Sequence, residues 1–112
     1  MCTGERSVTV ILVILVPPEN VQLSVMEPRV CRGAVVTFSC SAYAVPMVHT
    51  YQLYENDTLV NESSNSGVWS RTMSTAGYFI YKCMVNNTVG TGSSSTVSVS
   101  VNGQCFSPSL EK

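Results

Sequence analysis

Residues that carry catalytic and nucleic-acid chemistry are scarce in this chain. Histidine occurs once, at His49, and only 12% of the residues are charged, with a formal net charge of −1. A Ser-His-Asp or Cys-His arrangement would depend on that one histidine, which has no evident partner in the sequence. The basic residues are scattered and form no stripe, which argues against nucleic acid as a partner. The sequence therefore predicts a protein that is not an enzyme.

Motifs for metals and cofactors are missing as well. The closest two cysteines, Cys31 and Cys40, are nine residues apart, which fits no common zinc spacing. Gly90–Ser95 precedes a strand pattern and not a helix, so we interpret it as a hairpin loop and not as a phosphate cradle. The acidic residues of the mid-chain turns lack the spacing of a calcium loop and are interpreted as a solvated acidic edge: Glu55, Asp57 and Glu62. No cofactor and no metal are expected.

The chain is instead rich in cysteine, valine and hydroxyl-bearing residues. Valine outnumbers leucine 18 to 6, and serine and threonine together make 26 of 112 residues, a mixture that favours strands. Five cysteines without a Cys-x-x-Cys pair favour disulfides formed in an oxidising compartment. Three Asn-x-Ser/Thr triplets predict N-glycosylation at Asn56, Asn61 and Asn86. These features indicate an extracellular protein, secreted or at the cell surface.

The first 18 residues allow two interpretations. Val8–Val16 is apolar, but nine residues are too few to cross a bilayer, which takes about 20. One interpretation is a signal-peptide-like segment, although Glu5 lies in its flank and no small-x-small cleavage site follows. The other is the tail of a preceding module, whose order of features the end of the chain repeats, with Cys2 separated from its partner. We therefore assign 1–18 to one of these two, 19–103 to the folded domain, and 104–112 to a linker or truncated C-terminus.

From Val21 onward, short apolar stretches alternate with turn residues, and no helical period occurs. The segment Ser41–Pro46 is interpreted as a connecting loop, and a turn is expected at 55–57. Seven or eight short strands at this spacing predict an all-β fold, a sandwich of two sheets. Two strands carry inward-facing residues at a period of two: Val36, Phe38 and Cys40 on one, and Tyr81, Cys83 and Val85 on the other.

These two strands place one cysteine each in the centre of the sandwich. Cys40 and Cys83 are 43 residues apart and both face inward, so a disulfide between them would join the two sheets. On the loop-entropy model such a bond stabilises the fold by about 4 kcal/mol. This is comparable to the whole net stability of a small domain.

At these residues the chain resembles an immunoglobulin-like domain of the intermediate or C2 type found in adhesion molecules and immune receptors. The resemblance covers about 17–103 and implies a two-sheet sandwich with Greek-key connections. Its matching features are Gly33, Val36-x-Phe38-x-Cys40, Pro46, the segment YQLYEND, Gly67, Tyr81-x-Cys83, Asn87-x-x-Gly90 and the final TVSVSV.

Two positions depart from the pattern of that family. The third strand carries Tyr51 and Leu53 where these domains usually have a tryptophan, and we expect the single Trp69 to pack in or beside the core on a later strand. The acidic residue that usually precedes the conserved tyrosine is replaced by Gly77. The resemblance still implies that the Tyr81 hydroxyl bonds to the backbone.

The resemblance also suggests a second disulfide. In this fold the first strands and the last strand end at the same pole, where Cys31 follows one and Cys105 follows the other. We expect them to form a bond that joins the two ends of the domain. The alternatives are two unpaired thiols or bonds to neighbouring modules.

For function, the resemblance implies a non-catalytic extracellular binding module for cell-surface recognition or adhesion, part of a larger receptor. The expected partner is a protein ligand or a like module on another cell, including homophilic contact, with membrane attachment only through parts absent from this chain. The candidate surface is the sheet of 51–56, 81–87 and 94–100, with end loops at 44–48 and 87–93. A glycan at Asn86 would shield part of that sheet. The alternatives are a passive spacer in a tandem array, or an accessory domain of a secreted protein.

Overall fold

The computed structural model describes residues 14–64, 66–103 and 105, and in this part of the chain all regular structure is strand. The strands are β1 (Val16–Val25), β2 (Arg29–Cys31), β3 (Val35–Val45), β4 (Thr50–Glu55), β5 (Thr58–Ser63), β6 (Val68–Thr72), β7 (Gly77–Asn86), β8 (Thr91–Ser93) and β9 (Val97–Asn102). No helix of this part is long and apolar enough to cross a membrane. Cys2 and most of 1–18 lie outside the described residues, as does most of 104–112.

The strands form two sheets that face one another. The smaller sheet has the order β1-β3-β6, and the larger has the order β2-β9-β7-β4-β5, with β8 beside β7. All pairs are antiparallel except β2 and β9, which are parallel. The chain changes sheet between β1 and β2, β2 and β3, β3 and β4, β5 and β6, and β6 and β7. This confirms the predicted all-β, immunoglobulin-like sandwich.

The core lies between the sheets and is built from the inward faces predicted for β3 and β7. The rings of Phe38 and Tyr81 pack with centroids 4.4 Å apart. Each apolar side chain buried here contributes roughly 1.5–3 kcal/mol relative to an exposed one. The largest fully buried side chains are Tyr81, Phe38, Leu53, Val36, Val85, Val99 and Cys83.

The prediction of a loop at Ser41–Pro46 was wrong for most of that segment. β3 continues to Val45 and pairs with a β1 that begins at Val16, so Pro17 and Pro18 belong to a strand. Prolines are tolerated there because β1 is at the edge of its sheet. Two register shifts and a positive φ of 54° at Asn20 interrupt the pairing, which hid the alternation from sequence reading.

The prediction of a hairpin loop at Gly90–Ser95 also needs correction, because Thr91–Ser93 forms β8 and pairs with β7. Its residues are small because β1 lies directly against them: a Cβ on Gly92 would lie 2.6 Å from the carbonyl oxygen of Pro18. Ser94 then continues the ladder, since its Oγ accepts a hydrogen bond from the amide of Cys83 at 2.9 Å. The short polar side chains carry no strand signal of their own.

The turn predicted at 55–57 is confirmed. Asn56 and Asp57 have φ values of 50° and 70°, the two successive left-handed residues that a tight hairpin between β4 and β5 requires. Asparagine and aspartate tolerate this conformation better than other residues with a side chain.

Candidate binding surface

The solvent-facing side of the larger sheet, here called the outer face, carries the most extensive exposed apolar side chains among the described strands. On β7 the alternation that buries Tyr81 and Cys83 turns Tyr78 and Ile80 outward, and Tyr78 is 65% exposed. In register beside them, Ser100 and Ser98 of β9 contribute only small hydroxyls. The aromatic and aliphatic side chains therefore stand above their neighbours.

Further along β7 the outer face becomes more polar. Lys82 lies opposite Tyr54 of β4, with its Nζ 6.0 Å from the centre of the tyrosine ring. Met84 lies opposite Gln52. Few charges interrupt this surface, which is the composition that favours contact with another protein over contact with nucleic acid.

A groove of about 650 Å³ runs along the β2–β9 side of the outer face. Its floor is formed by side chains of β7 and β9, and its wall by the turn between β1 and β2, which is held in place by a 2.8 Å bond from the Ser100 amide to the Pro28 carbonyl. The groove offers an aromatic ring, hydroxyls and one charge of each sign. Its lining residues are Met26, Glu27, Pro28, Arg29, Tyr78, Ser98 and Ser100.

The two end loops of the predicted surface meet at one pole, where Asn87 joins them. Asn87 is only 5% exposed. Its Nδ2 donates to the carbonyls of Val16 and Pro46 at 2.9 and 2.8 Å, and its Oδ1 accepts from the amides of Val89 and Gly90 at 3.0 Å each. Sequence reasoning saw only a turn in Asn-x-x-Gly, since the two carbonyl partners lie far away along the chain.

At the opposite pole the structure corrects two expectations. The Tyr81 hydroxyl donates to the carboxylate of Glu55, not to the backbone, and it also lies 3.6 Å from the Met73 sulfur. Glu55 is itself 3.7 Å from the Arg71 guanidinium, so it is a partly buried ion-pair member and not part of a solvated edge. Burial of the hydroxyl, followed by the Glu55 carboxylate, raises the pKa of Tyr81 to about 12.

These contacts explain how the domain manages without the usual acidic residue before the tyrosine. Glu55 ends β4 in register with Tyr81 of β7 and supplies the carboxylate from another strand. No local spacing announces this, because the pair is 26 residues apart. Gly77, with a φ of 148°, leaves the turn before β7 to the backbone alone.

The structure joins Cys40 to Cys83 and Cys31 to Cys105, the two pairings named from the sequence. The first lies in the core, with Cα atoms 6.3 Å apart, and the second joins β2 to the residues after β9, with Cα atoms 5.7 Å apart. Two disulfides are typical of proteins from oxidising compartments.

Leu53 and Trp69 occupy the places predicted for them. Leu53 is fully buried and lies in register with Cys83, so a leucine packs where related domains place tryptophan. Trp69 on β6 is buried opposite Phe38. Gly90 follows the Asn87 turn and lies so near Pro17 that a Cβ there would be 3.2 Å from the Pro17 Cβ.

The three asparagines of the glycosylation triplets lie apart from one another. Asn56 is exposed in the β4–β5 turn, where its Oδ1 accepts a 3.0 Å bond from the Ile80 amide. Asn61 is partly exposed on the edge strand β5. Asn86 is partly exposed at the end of β7, and its Oδ1 accepts a bond from the Thr91 hydroxyl at 2.6 Å.

The residues considered for catalysis or metal binding are not assembled into a site. The His49 Nδ1 is 2.7 Å from the Thr50 hydroxyl on an exposed stretch before β4. Within 14–64, 66–103 and 105, no group of three histidine, cysteine, aspartate or glutamate side chains could hold a metal ion.

Comparison with known proteins agrees with this architecture. No curated protein matches the sequence. Among solved structures, the chain is similar to the PKD domain of human VPS10 domain-containing receptor SorCS2, with a TM-score of 0.67, 19% identity and coverage of 96% of this chain and 95% of that one. It is also similar to the CARDB domain of the PF1109 protein from Pyrococcus furiosus, solved with di-metal ions, with a TM-score of 0.59, 14% identity and coverage of 80% and 96%. At these identities both show the fold alone.

The family model for the immunoglobulin domain matches residues 18–101, a span that contains both core cysteines and most of the described sandwich. The chain belongs to the immunoglobulin domain family.

Proposed function

We propose that this immunoglobulin domain is a non-catalytic recognition module of a larger extracellular or cell-surface protein, and that it contacts a protein partner through the outer face and its groove. The observation that carries the proposal is the exposure of Tyr78 and Ile80 side by side on β7. Tyrosine with an apolar neighbour is the composition that protein interfaces favour. A sheet that served only as a spacer would gain nothing from this exposure.

The partner's chemistry follows from the groove. Glu27 and Arg29 give it one charge of each sign, so it suits a mixed-charge protein surface better than a polyanion. The tyrosine ring on its floor is a rigid anchor that loses little conformational entropy on binding. A second copy of the same domain on another cell is one partner of this class.

We also propose that Asn56, Asn61 and Asn86 carry N-glycans. Asn86 is eight residues from Tyr78 along β7, a separation of about 27 Å, so a glycan there leaves the groove half of the outer face open. Asn56 is bonded to the Ile80 backbone, so a glycan there lies beside the proposed contact surface. Replacing Thr58 by alanine removes that site without altering Asn56. Glycopeptide mapping then reads occupancy, and binding to the probes described below should stay equal or increase.

The test of the recognition proposal compares two surface substitutions. The secreted, glycosylated chain is displayed on beads and assayed for self-association and for binding to a panel of cell types. Tyr78→Ser should weaken the contact at least about tenfold, the effect of losing one interface anchor. Val35→Ser is the matched control, since Val35 is 57% exposed on the opposite sheet.

Both variants should keep the melting temperature of the parent within a few degrees, because both positions are at the surface. The proposal fails if beads carrying the parent chain neither associate with one another nor bind any cell type. It also fails if Val35→Ser weakens binding as much as Tyr78→Ser. The first result would favour the passive spacer.

A further inference from the structure

The two disulfides of this domain differ in access to solvent. Cys83 is fully buried and Cys40 nearly so, in the centre of the core. Cys31 and Cys105, by contrast, are both exposed residues at the end of the parallel β2–β9 pair. Thiol–disulfide exchange requires a thiolate to reach one of the two sulfurs, so access decides which bond reacts.

We infer that the Cys31–Cys105 bond is a site of thiol–disulfide exchange in the folded domain, and that it acts as a redox-controlled clasp on β2. The co-reactant is a dithiol reductant. Its thiolate attacks one of the two sulfurs and expels the other cysteine as a thiolate. Its second thiol then displaces the first cysteine from the mixed disulfide. The S–S bond of the protein breaks, two electrons and two protons pass to Cys31 and Cys105, and the reductant leaves as its own disulfide.

The bond at the core is protected from the same reaction by the fold. Reaching Cys83 requires opening of the sandwich, and a domain stable by even 5 kcal/mol is open only about once in several thousand molecules. Exchange at Cys40–Cys83 should therefore be slower by roughly three orders of magnitude than exchange at the clasp.

Strand β2 depends on the clasp because little else holds it. It has three residues, of which only the middle one, Val30, packs against the core. Its pairing with β9 covers three residue pairs, from Arg29 with Ser100 to Cys31 with Asn102. Beyond it, the chain is fixed again where the Gly33 amide bonds to the Met73 carbonyl at 2.7 Å. Opening the clasp frees β2 between two anchored segments.

The clasp also sets how much chain can be drawn from the domain. The two bonds are nested: the outer one spans 74 residues and the core one 43, which leaves about 31 residues held by the outer bond alone. When both ends of the chain are pulled, the intact clasp withholds those residues from extension. Its reduction should add roughly 110 Å of contour length, at about 3.5 Å per residue.

The first test is differential labelling of the Cys2→Ser chain, which removes the fifth cysteine from the readout. The native domain is treated briefly with dithiothreitol, alkylated, and mapped by mass spectrometry. The expected result is alkylation of Cys31 and Cys105 at least about a hundredfold faster than of Cys40 and Cys83, with the circular dichroism spectrum of the sandwich retained. Simultaneous labelling of all four cysteines, or of none before denaturant is added, would overturn the inference.

The second test is single-molecule extension of the same chain held by its two ends, before and after the brief reduction. The unfolding length should increase by roughly 110 Å on reduction. The double variant Cys31→Ser with Cys105→Ser should show the longer value in both conditions. Equal lengths for the parent before and after reduction would contradict the clasp even if labelling succeeded. Neither test involves a binding partner, so both stand apart from the recognition proposal.

Discussion

Replacing Tyr81 by phenylalanine removes one oxygen atom from the centre of the contact between β4, β7 and the chain after β6. The ring keeps its packing against Phe38, so the loss is that of the hydroxyl bond to the Glu55 carboxylate. A hydrogen bond to a charged group contributes about 1.5–3 kcal/mol to stability. Glu55 keeps its Arg71 partner and some contact with water, so we expect the free energy of unfolding to fall by about 2 kcal/mol at neutral pH.

The same hydroxyl gives the domain an alkaline pH dependence. Its pKa is about 12 in the folded state, against about 10 when the chain is unfolded. Below pH 10 the hydroxyl is protonated in both states and its stabilisation is fully present. Between pH 10 and 12 only the unfolded chain loses the proton, so stability falls as pH rises, by about 1.4 kcal/mol at pH 11. The advantage of the parent over Tyr81→Phe should shrink by that amount.

The assay is urea unfolding of both proteins at pH 7, 9, 10 and 11, followed by the fluorescence of the buried Trp69. Working with the difference between the two proteins cancels the titration of every other group. A difference that stays constant from pH 7 to 11 would show that the hydroxyl titrates normally. A difference below about 0.5 kcal/mol at pH 7 would show that its bond to Glu55 contributes little.

Three further substitutions test the packing on which the surface rests. Leu53→Ala should cost about 2–5 kcal/mol of unfolding free energy because it leaves a cavity beside the core disulfide, while Leu59→Ala at an exposed position should cost less than about 1; equal losses in urea unfolding would refute this packing. Asn87→Ala removes four hydrogen bonds and should cost about 2–4 kcal/mol, with amide exchange accelerated first in the loop after β7; a loss under about 1 would contradict its role. Gly67→Ala places a methyl group against a β3 carbonyl oxygen and 2.9 Å from the Tyr51 ring, so it should lower the unfolding free energy by at least about 2 kcal/mol; a parent-like midpoint in urea would be the contrary result.

The sequence predicted those parts of the fold that a period of two encodes locally. β3, β7 and β9 alternate apolar and polar residues, so their inward faces, and with them the position of Cys40 opposite Cys83, follow from the spacing alone. The outward faces follow equally, which is why the large sheet could be named as a candidate surface. The pairing of Cys31 with Cys105 needed the fold-level knowledge that the first and last strands end at the same pole.

What the sequence did not predict depends on contacts between distant residues. The carboxylate bound by Tyr81 comes from another strand, and Asn87 bonds to carbonyls 71 and 41 residues away. β8 and the first half of β1 were missed because glycine, serine and proline carry little strand propensity. Their conformation is imposed by neighbouring strands, and no local pattern records it.

The groove and the clasp share a strand, which makes recognition and redox state dependent on one another. Arg29, in the wall of the groove, lies on β2 in register with Ser100 on its floor, and the same strand ends at the clasped Cys31. Without the disulfide, three parallel residue pairs hold that wall, so reduction should let it separate from the floor while Tyr78 stays on β7. Selective reduction should therefore weaken a contact made in the groove, and Cys31→Ser with Cys105→Ser should reproduce the effect without a reductant. If both leave the binding of the parent chain unchanged while Tyr78→Ser abolishes it, the partner contacts the Tyr78 side of the outer face and not the wall.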